Sequence, residues 1–267
     1  MSTESTLVIV HVFPGLLGLY GDRGNAAVLA YRAGARGLAA QVLGIEAGTP
    51  IPASGDIYVL GGGEDQAQGT AAELMRADGG LIAAIDRGAV VFAVCAGLQI
   101  LGNEFNAAGT VVPGLGVLDI GRGRPASTRA VGELLSEPVD LALPVLTGFE
   151  NHQGRTILGP QMRSLGRVMH GVGNGDHEGE PGVASSEGVV HGHVIGTYMH
   201  GPALARNPAL ADLLIGWATG IALDPWVDPV AELLREERFA AVAAAAAASS
   251  GVLAGVRERL RSGFRRR

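Results

Sequence analysis

Cys95 is the only cysteine in the 267 residues. It lies in 90-VVFAVCAGLQILGNEF-105, where an apolar run meets a helical pattern. A thiol at that junction could serve as a nucleophile. A strand that turns sharply into a helix presents the turn residue at the sheet edge, and the small Ala96 and Gly97 let the backbone make the turn. The free N–H groups of a helix start favour an anion, and the N–H of Ala96 would be free to hold an oxyanion. A buried structural cysteine fits the same spacing equally well. Thiol chemistry also needs a base. Seven histidines are available: His11, His152, His170, His177, His191, His193 and His200. His11 falls within an apolar strand pattern, and His177 within an acidic, glycine-rich loop. His191 and His193 alternate as metal ligands would, but no second cysteine or close carboxylate pair joins them, so no metal site is expected. His200 ends a strand pattern and precedes Gly201 and Pro202, which makes it the best-placed base.

The elements that must hold these groups can be read from periodicity. Strands are expected at 7–13, 38–46, 56–60 and 89–94. Helices are expected at 26–37, at 67–88 with a break at paired glycines, and at 98–105. Strand and helix alternate, which argues for an α/β layered fold with a mostly parallel sheet. In such sheets functional groups sit beyond the carboxyl ends of the strands. Cys95 and the Gly61–Gly63 turn both lie at such ends. The second half reads as strands at 110–120, 144–152, 183–191 and 193–200, then a helix at 209–220. The loop 173–182 reads as a hairpin tip. In 20-YGDRGN-25, Asp22 or Asn25 reads as a helix cap.

Composition narrows the function classes. The chain is 47% hydrophobic and 17% charged, enough apolar material for a sizeable core. The net charge of −6 argues against a whole-domain nucleic-acid footprint. A single cysteine suits a reducing compartment. The N-terminus lacks the basic start of a signal peptide, and no apolar run reaches a membrane span. The expected location is cytoplasmic. The 61-GGG-63 turn has no G-K-[ST] after it, so no nucleotide site is expected in this chain.

Cys95-Ala96-Gly97-Leu98-Gln99 resembles the C-x-G-x-Q nucleophile motif of class I glutamine amidotransferases. The stretches 148-GFENHQGRT-156 and 196-GTYMHGP-202 resemble those of the cobyric-acid-synthase-like branch. With 20-YGDRGN-25, 61-GGGEDQAQ-68 and 114-GLGVLD-119 they look like the amidotransferase subunits of lipid II isoglutaminyl synthase. The resemblance spans about residues 6 to 225. It implies a three-layer, flavodoxin-like α/β fold over 1–225, followed by an Ala/Arg-rich helical tail at 226–267. It implies a glutaminase whose ammonia passes to a Mur-ligase-like partner, MurT, in a heterodimer. The partner would use ATP and Mg²⁺ to amidate the D-glutamate of lipid II, so the substrate would bring this chain near the inner face of the membrane. No cofactor is implied for this chain. An amidotransferase serving another ligase, such as a cobyric-acid-type amidation, or a catalytically silent scaffold, are the alternatives.

The resemblance also assigns roles. Cys95 would attack the side-chain amide of L-glutamine, and His200 would carry the proton. The N–H groups of Ala96 and Gly62 would hold the oxyanion. Arg129, in 126-ASTRAVGE-133, would bind the α-carboxylate, with Gln99 and His152 against the substrate. One position departs from the pattern. Where class I enzymes commonly place a glutamate two residues after the histidine, this chain has Pro202. That leaves a dyad, another acid of the chain, or a carboxylate from the partner, and the last predicts a poor glutaminase in isolation. The arginines of the tail could meet an acidic surface, and a solvated helix accounts for them as well.

Overall fold

The computed structural model describes residues 6–123, 128–177 and 183–244. Two compact units divide the chain at 1–227 and 228–267.

In the first unit the elements begin β1 (Leu7–Val12), α1 (Gly24–Ala35), β2 (Ala40–Ile45), β3 (Ile57–Leu60), α2 (Asp65–Asp78), α3 (Gly80–Asp86), β4 (Val90–Val94) and α4 (Ala96–Leu101). Six short strands follow: β5 (Glu104–Ala107), β6 (Thr110–Pro113), β7 (Ile120–Arg122), β8 (Ala130–Pro138), β9 (Leu146–His152) and β10 (Thr156–Leu158). Then come β11 (Gly166–His170), β12 (Ser186–Glu187), β13 (Val189–His191), β14 (Val194–Thr197), α5 (Ala203–Arg206) and α6 (Pro208–Thr219).

The central sheet runs β13-β14-β4-β3-β1-β2. All its pairings are parallel except β13 with β14. Every residue of β3 and β4 is buried, as expected of strands covered on both faces. Helix α1 buries Asn25, Ala26, Leu29, Arg32 and Ala33, the spacing of one helical face. A polar clasp ties α1 to α6. Arg32 is 2% exposed and donates to both oxygens of Asp212 at 2.7 Å, with Arg36 on the same carboxylate at 2.6 Å. The Trp226 ring lies 4.6 Å from the Arg32 guanidinium and 5.1 Å from that of Arg36. A second, antiparallel sheet has the order β12-β11-β8-β9.

Local sequence explains where the expectations shift. The 67–88 helix is two helices, broken at Gly79, whose φ of 71° is left-handed. The helix after Cys95 ends at Leu101, and Glu104 and Phe105 belong to β5 instead of the 98–105 helix. Phe105 and Ala107 are buried while Glu104 and Asn106 are exposed, a strand alternation hidden in a short apolar run. The hairpin-tip loop is anchored where it is described: Asp176 accepts from the Ser186 amide at 2.9 Å, and Asn174 bonds Gly188. In the second unit a helix occupies 229–244. The rest of the expected tail helix lies outside the described residues. No helix among the described residues is long and apolar enough to cross a membrane.

Candidate active site

The strand order 2-1-3-4 places the switch point between β1 and β3, beyond whose carboxyl ends open α/β sheets build their sites. The loops after β1, β3, β4 and β14 converge there. Cys95 follows β4 directly and holds φ 51° and ψ −102°, a conformation that non-glycine residues rarely adopt. Its amide donates to Thr197 O on β14 at 2.8 Å, and its carbonyl accepts from Gln99 N at 3.0 Å. The elbow presses on β3: a Cβ at Gly97 would lie 2.7 Å from the Leu60 Cβ. This is the strand-to-helix turn expected from the sequence.

His200 is fully buried, and its Nδ1 lies 2.8 Å from Asp22 Oδ2. Its Nε2 is buried without a hydrogen bond to the described residues, and Cys95 is close enough to act on its charge. Burial alone would lower the imidazole's pKa. The Asp22 hydrogen bond and the neighbouring Cys95 outweigh it and hold His200 up at about 10. The acid missing at position 202 is therefore supplied in space by Asp22, which is itself completely buried. This corrects the capping assignment. Helix α1 has no side-chain cap, and the Asn25 side chain accepts from Leu204 N at 3.0 Å instead. Pro202 packs where a Cβ at Gly24 would meet its ring at 2.5 Å.

The glycine turn is corrected as well. The Gly62 amide donates to Asp22 Oδ2 at 2.7 Å, so it is committed to the carboxylate and not free for an oxyanion. Glycine is required there for another reason: a Cβ would sit 2.5 Å from His200 Cε1. Gly63, the next residue, lines the cleft that holds Cys95. Ala96 carries the first amide of α4, which has no partner within its own helix.

That cleft has a volume of about 380 Å³, and Cys95, Gln99, Arg129 and His152 all line it. Arg129 is exposed, and Asn151 holds it by Oδ1 on Nε at 2.5 Å and by its carbonyl on Nη2 at 3.2 Å. Gln99 is clamped: its amide nitrogen donates to Tyr198 Oη at 3.0 Å, and its oxygen accepts from Gln68 at 2.8 Å. His152 is 2% exposed and stacks on Tyr198 with centroids 4.0 Å apart. Both its ring nitrogens are engaged, with Gly154 O at 3.0 Å and Glu150 Oε2 at 3.2 Å. It lines the cleft with both ring nitrogens hydrogen-bonded within the chain. Tyr20 stands edge-on to His200, with centroids 5.0 Å apart, and donates to Glu64 at 3.0 Å.

Sequence reasoning passed over Gln68 and Tyr198, whose roles exist only through distant partners. The remaining histidines stand apart. His11 is buried in β1, and burial lowers its pKa. His191 and His193 flank a tight turn, and His193 sits on Gly88 O at 3.2 Å. Among the described residues no group of three or more His, Cys, Asp or Glu is placed to hold a metal ion.

Residues 8–208 match the CobB/CobQ-like glutamine amidotransferase domain. The chain is 34% identical, over 82% of its length and 88% of the relative's, to the GatD subunit of lipid II isoglutaminyl synthase (glutamine-hydrolysing) of Staphylococcus aureus. It is also 34% identical to the same subunit of Streptococcus pneumoniae, over 78% of this chain and 79% of that one. A cobyric acid synthase of Pelotomaculum thermopropionicum is 36% identical over 52% of this chain but only 28% of its own length. A crystal structure of a glutamine amidotransferase superposes with a TM-score of 0.51 at 21% identity, over 80% of this chain and all of that one, which supports the fold. The cysteine elbow, the buried histidine beside it and the match along most of the sequence lead to one conclusion: this chain belongs to the CobB/CobQ-like glutamine amidotransferase family.

Proposed function

We propose that the chain is the glutaminase subunit of an enzyme that amidates lipid II. The observation that carries the reading is the Asp22–His200 pair, 2.8 Å apart and buried beside Cys95 at the cleft. The Cys95 thiolate attacks the side-chain carbonyl carbon of L-glutamine. Negative charge develops on the carbonyl oxygen, facing the amides of Ala96 and Gly63. His200 then gives its Nε2 proton to the leaving ammonia, and a thioester remains. The same nitrogen takes a proton from water, which attacks the thioester, and glutamate leaves. Asp22 keeps Nδ1 protonated and aims Nε2 throughout. Arg129, steadied by Asn151, pairs with the α-carboxylate of the substrate. Gln99 holds the cleft wall that the substrate meets.

The relatives named GatD support a ligase as the destination of the ammonia. In this reading the partner is the Mur-ligase-like MurT, which binds ATP and Mg²⁺ and amidates the α-carboxyl of D-glutamate in the lipid II stem peptide. The likeness to cobyric acid synthase favours a second reading, the same glutaminase serving a corrin-type acid. It covers about a quarter of that enzyme, against most of the GatD subunits.

The test is ammonia release from glutamine by the purified chain, with and without the co-expressed Mur-ligase-like partner. Release that disappears in Cys95→Ala is expected. A glutamine-mimicking electrophile should label Cys95 in the isolated chain, because the acid for His200 lies within it. No release and no labelling under either condition would leave a silent scaffold.

A further inference from the structure

The chain must leave the central sheet between Thr197 and His200. The parallel ladder with β4 ends at the Thr197–Val94 pair. By His200 the backbone has joined the second sheet, donating to Phe149 O at 2.8 Å. The amides of Tyr198 and Met199 lie in between, buried and without a ladder partner, so another acceptor must satisfy them. That acceptor is Glu187, on β12 of the second sheet. Its Oε1 accepts the Thr197 hydroxyl and the Tyr198 amide, the latter at 3.0 Å. The hydroxyl it orients accepts the Met199 amide at 3.0 Å.

We propose that Glu187 is a positioning residue for the catalytic pair, pinning the exit of β14 so that Cys95 and His200 face each other. Both catalytic backbones hang from the pinned segment. Thr197 O takes the Cys95 amide, and His200 follows Tyr198 by two residues. The Tyr198 ring is set by the same pin, and it holds Gln99 at 3.0 Å and Thr156 at 2.7 Å. Glu187 is fully buried, and its second oxygen has no partner among the described residues. Burial pushes the carboxyl up to about 7, against the bonds from Thr197 and Tyr198. One oxygen, Oε1, makes both bonds, so the role needs a single acceptor, and a glutamine can supply it.

The inference rests on the glutaminase reading of Cys95 and His200. The experiment compares Glu187→Gln with Glu187→Leu in the co-expressed complex, reading kcat, KM and the labelling rate of Cys95. Displacing a catalytic group by about 1 Å costs on the order of 100-fold. Glu187→Leu should lose about that in kcat and in labelling rate, with KM within about threefold, while Glu187→Gln stays within about threefold of wild type in all three. If Glu187→Leu does not fold, Thr197→Val removes the relayed hydroxyl and should lower kcat in the same direction. A folded Glu187→Leu, or failing it a folded Thr197→Val, that keeps wild-type kcat, even with a lowered Tm, would overturn the inference. A wild-type complex that releases no ammonia would sink the glutaminase reading, and this inference with it.

Discussion

Two loops meet at the buried histidine His200 and were written into the sequence in opposite ways. The Cys95 elbow is local: apolar strand, cysteine, two small residues and a helix occupy one continuous stretch, and the structure keeps that order. The Leu19–Asn25 loop has no local signature of its task. Asp22 looks like a helix cap by position, yet it spends one oxygen on the Gly62 amide and on His200, 178 positions away. Covalent geometry dictates where an elbow puts its residue, whereas only the closed sheet dictates what a buried carboxylate touches.

That contrast can be broken by mutation. Cys95→Ala removes the nucleophile and should reduce ammonia release at least about 10⁴-fold, to the level of the blank. Asp22→Asn keeps the shape of the loop and should lower kcat by about 10²–10⁴-fold. Because Asp22 holds the imidazole's pKa up, the alkaline limb of the rate profile should also move to lower pH in this variant. An Asp22→Asn enzyme with wild-type kcat would return Asp22 to a structural role. Arg129→Ala should raise KM for glutamine about 10- to 100-fold with kcat nearly unchanged, since the lost contact is equal in ground and transition states.

Gly62→Ala tests where the two loops touch. Its added carbon would collide with His200, so a loss of about 1–3 kcal/mol in denaturant titration is expected, together with lost activity. A separate readout is stability against pH. The imidazole titrates near 6.5 when unfolded and about 10 when folded, so the folded state holds the extra proton. The stabilisation is fully present below pH about 6.5 and fades as pH rises through about 10. Melting curves of His200→Ala should lack this alkaline decline.

The parallel half of the fold was legible because most of its strands are largely apolar runs, and β4 is buried throughout. The second sheet was less so. Strands β8 and β11 went unread, because their burial alternates irregularly and their pairing shifts register near Val168. In the site, Cys95 follows β4 and His200 follows β14, the strand-end positions that spacing marks. The Gly62 amide faces Asp22, not an open cleft, and both His152 nitrogens are used by Gly154 and Glu150 within the cleft wall. Sequence spacing locates a residue near a site, but it does not say which of its hydrogen bonds are already taken.

The order in which the pieces are synthesised has a consequence for the thiol. Asp22, the glycine turn and Cys95 all emerge early, whereas His200 and the carbonyl that receives the Cys95 amide come with β14, the last strand of the central sheet. Until that strand docks beside β4, Cys95 has neither its imidazole nor its backbone anchor. The growing chain thus carries Cys95 without either neighbour, and the proposed pair assembles only when the sheet is complete.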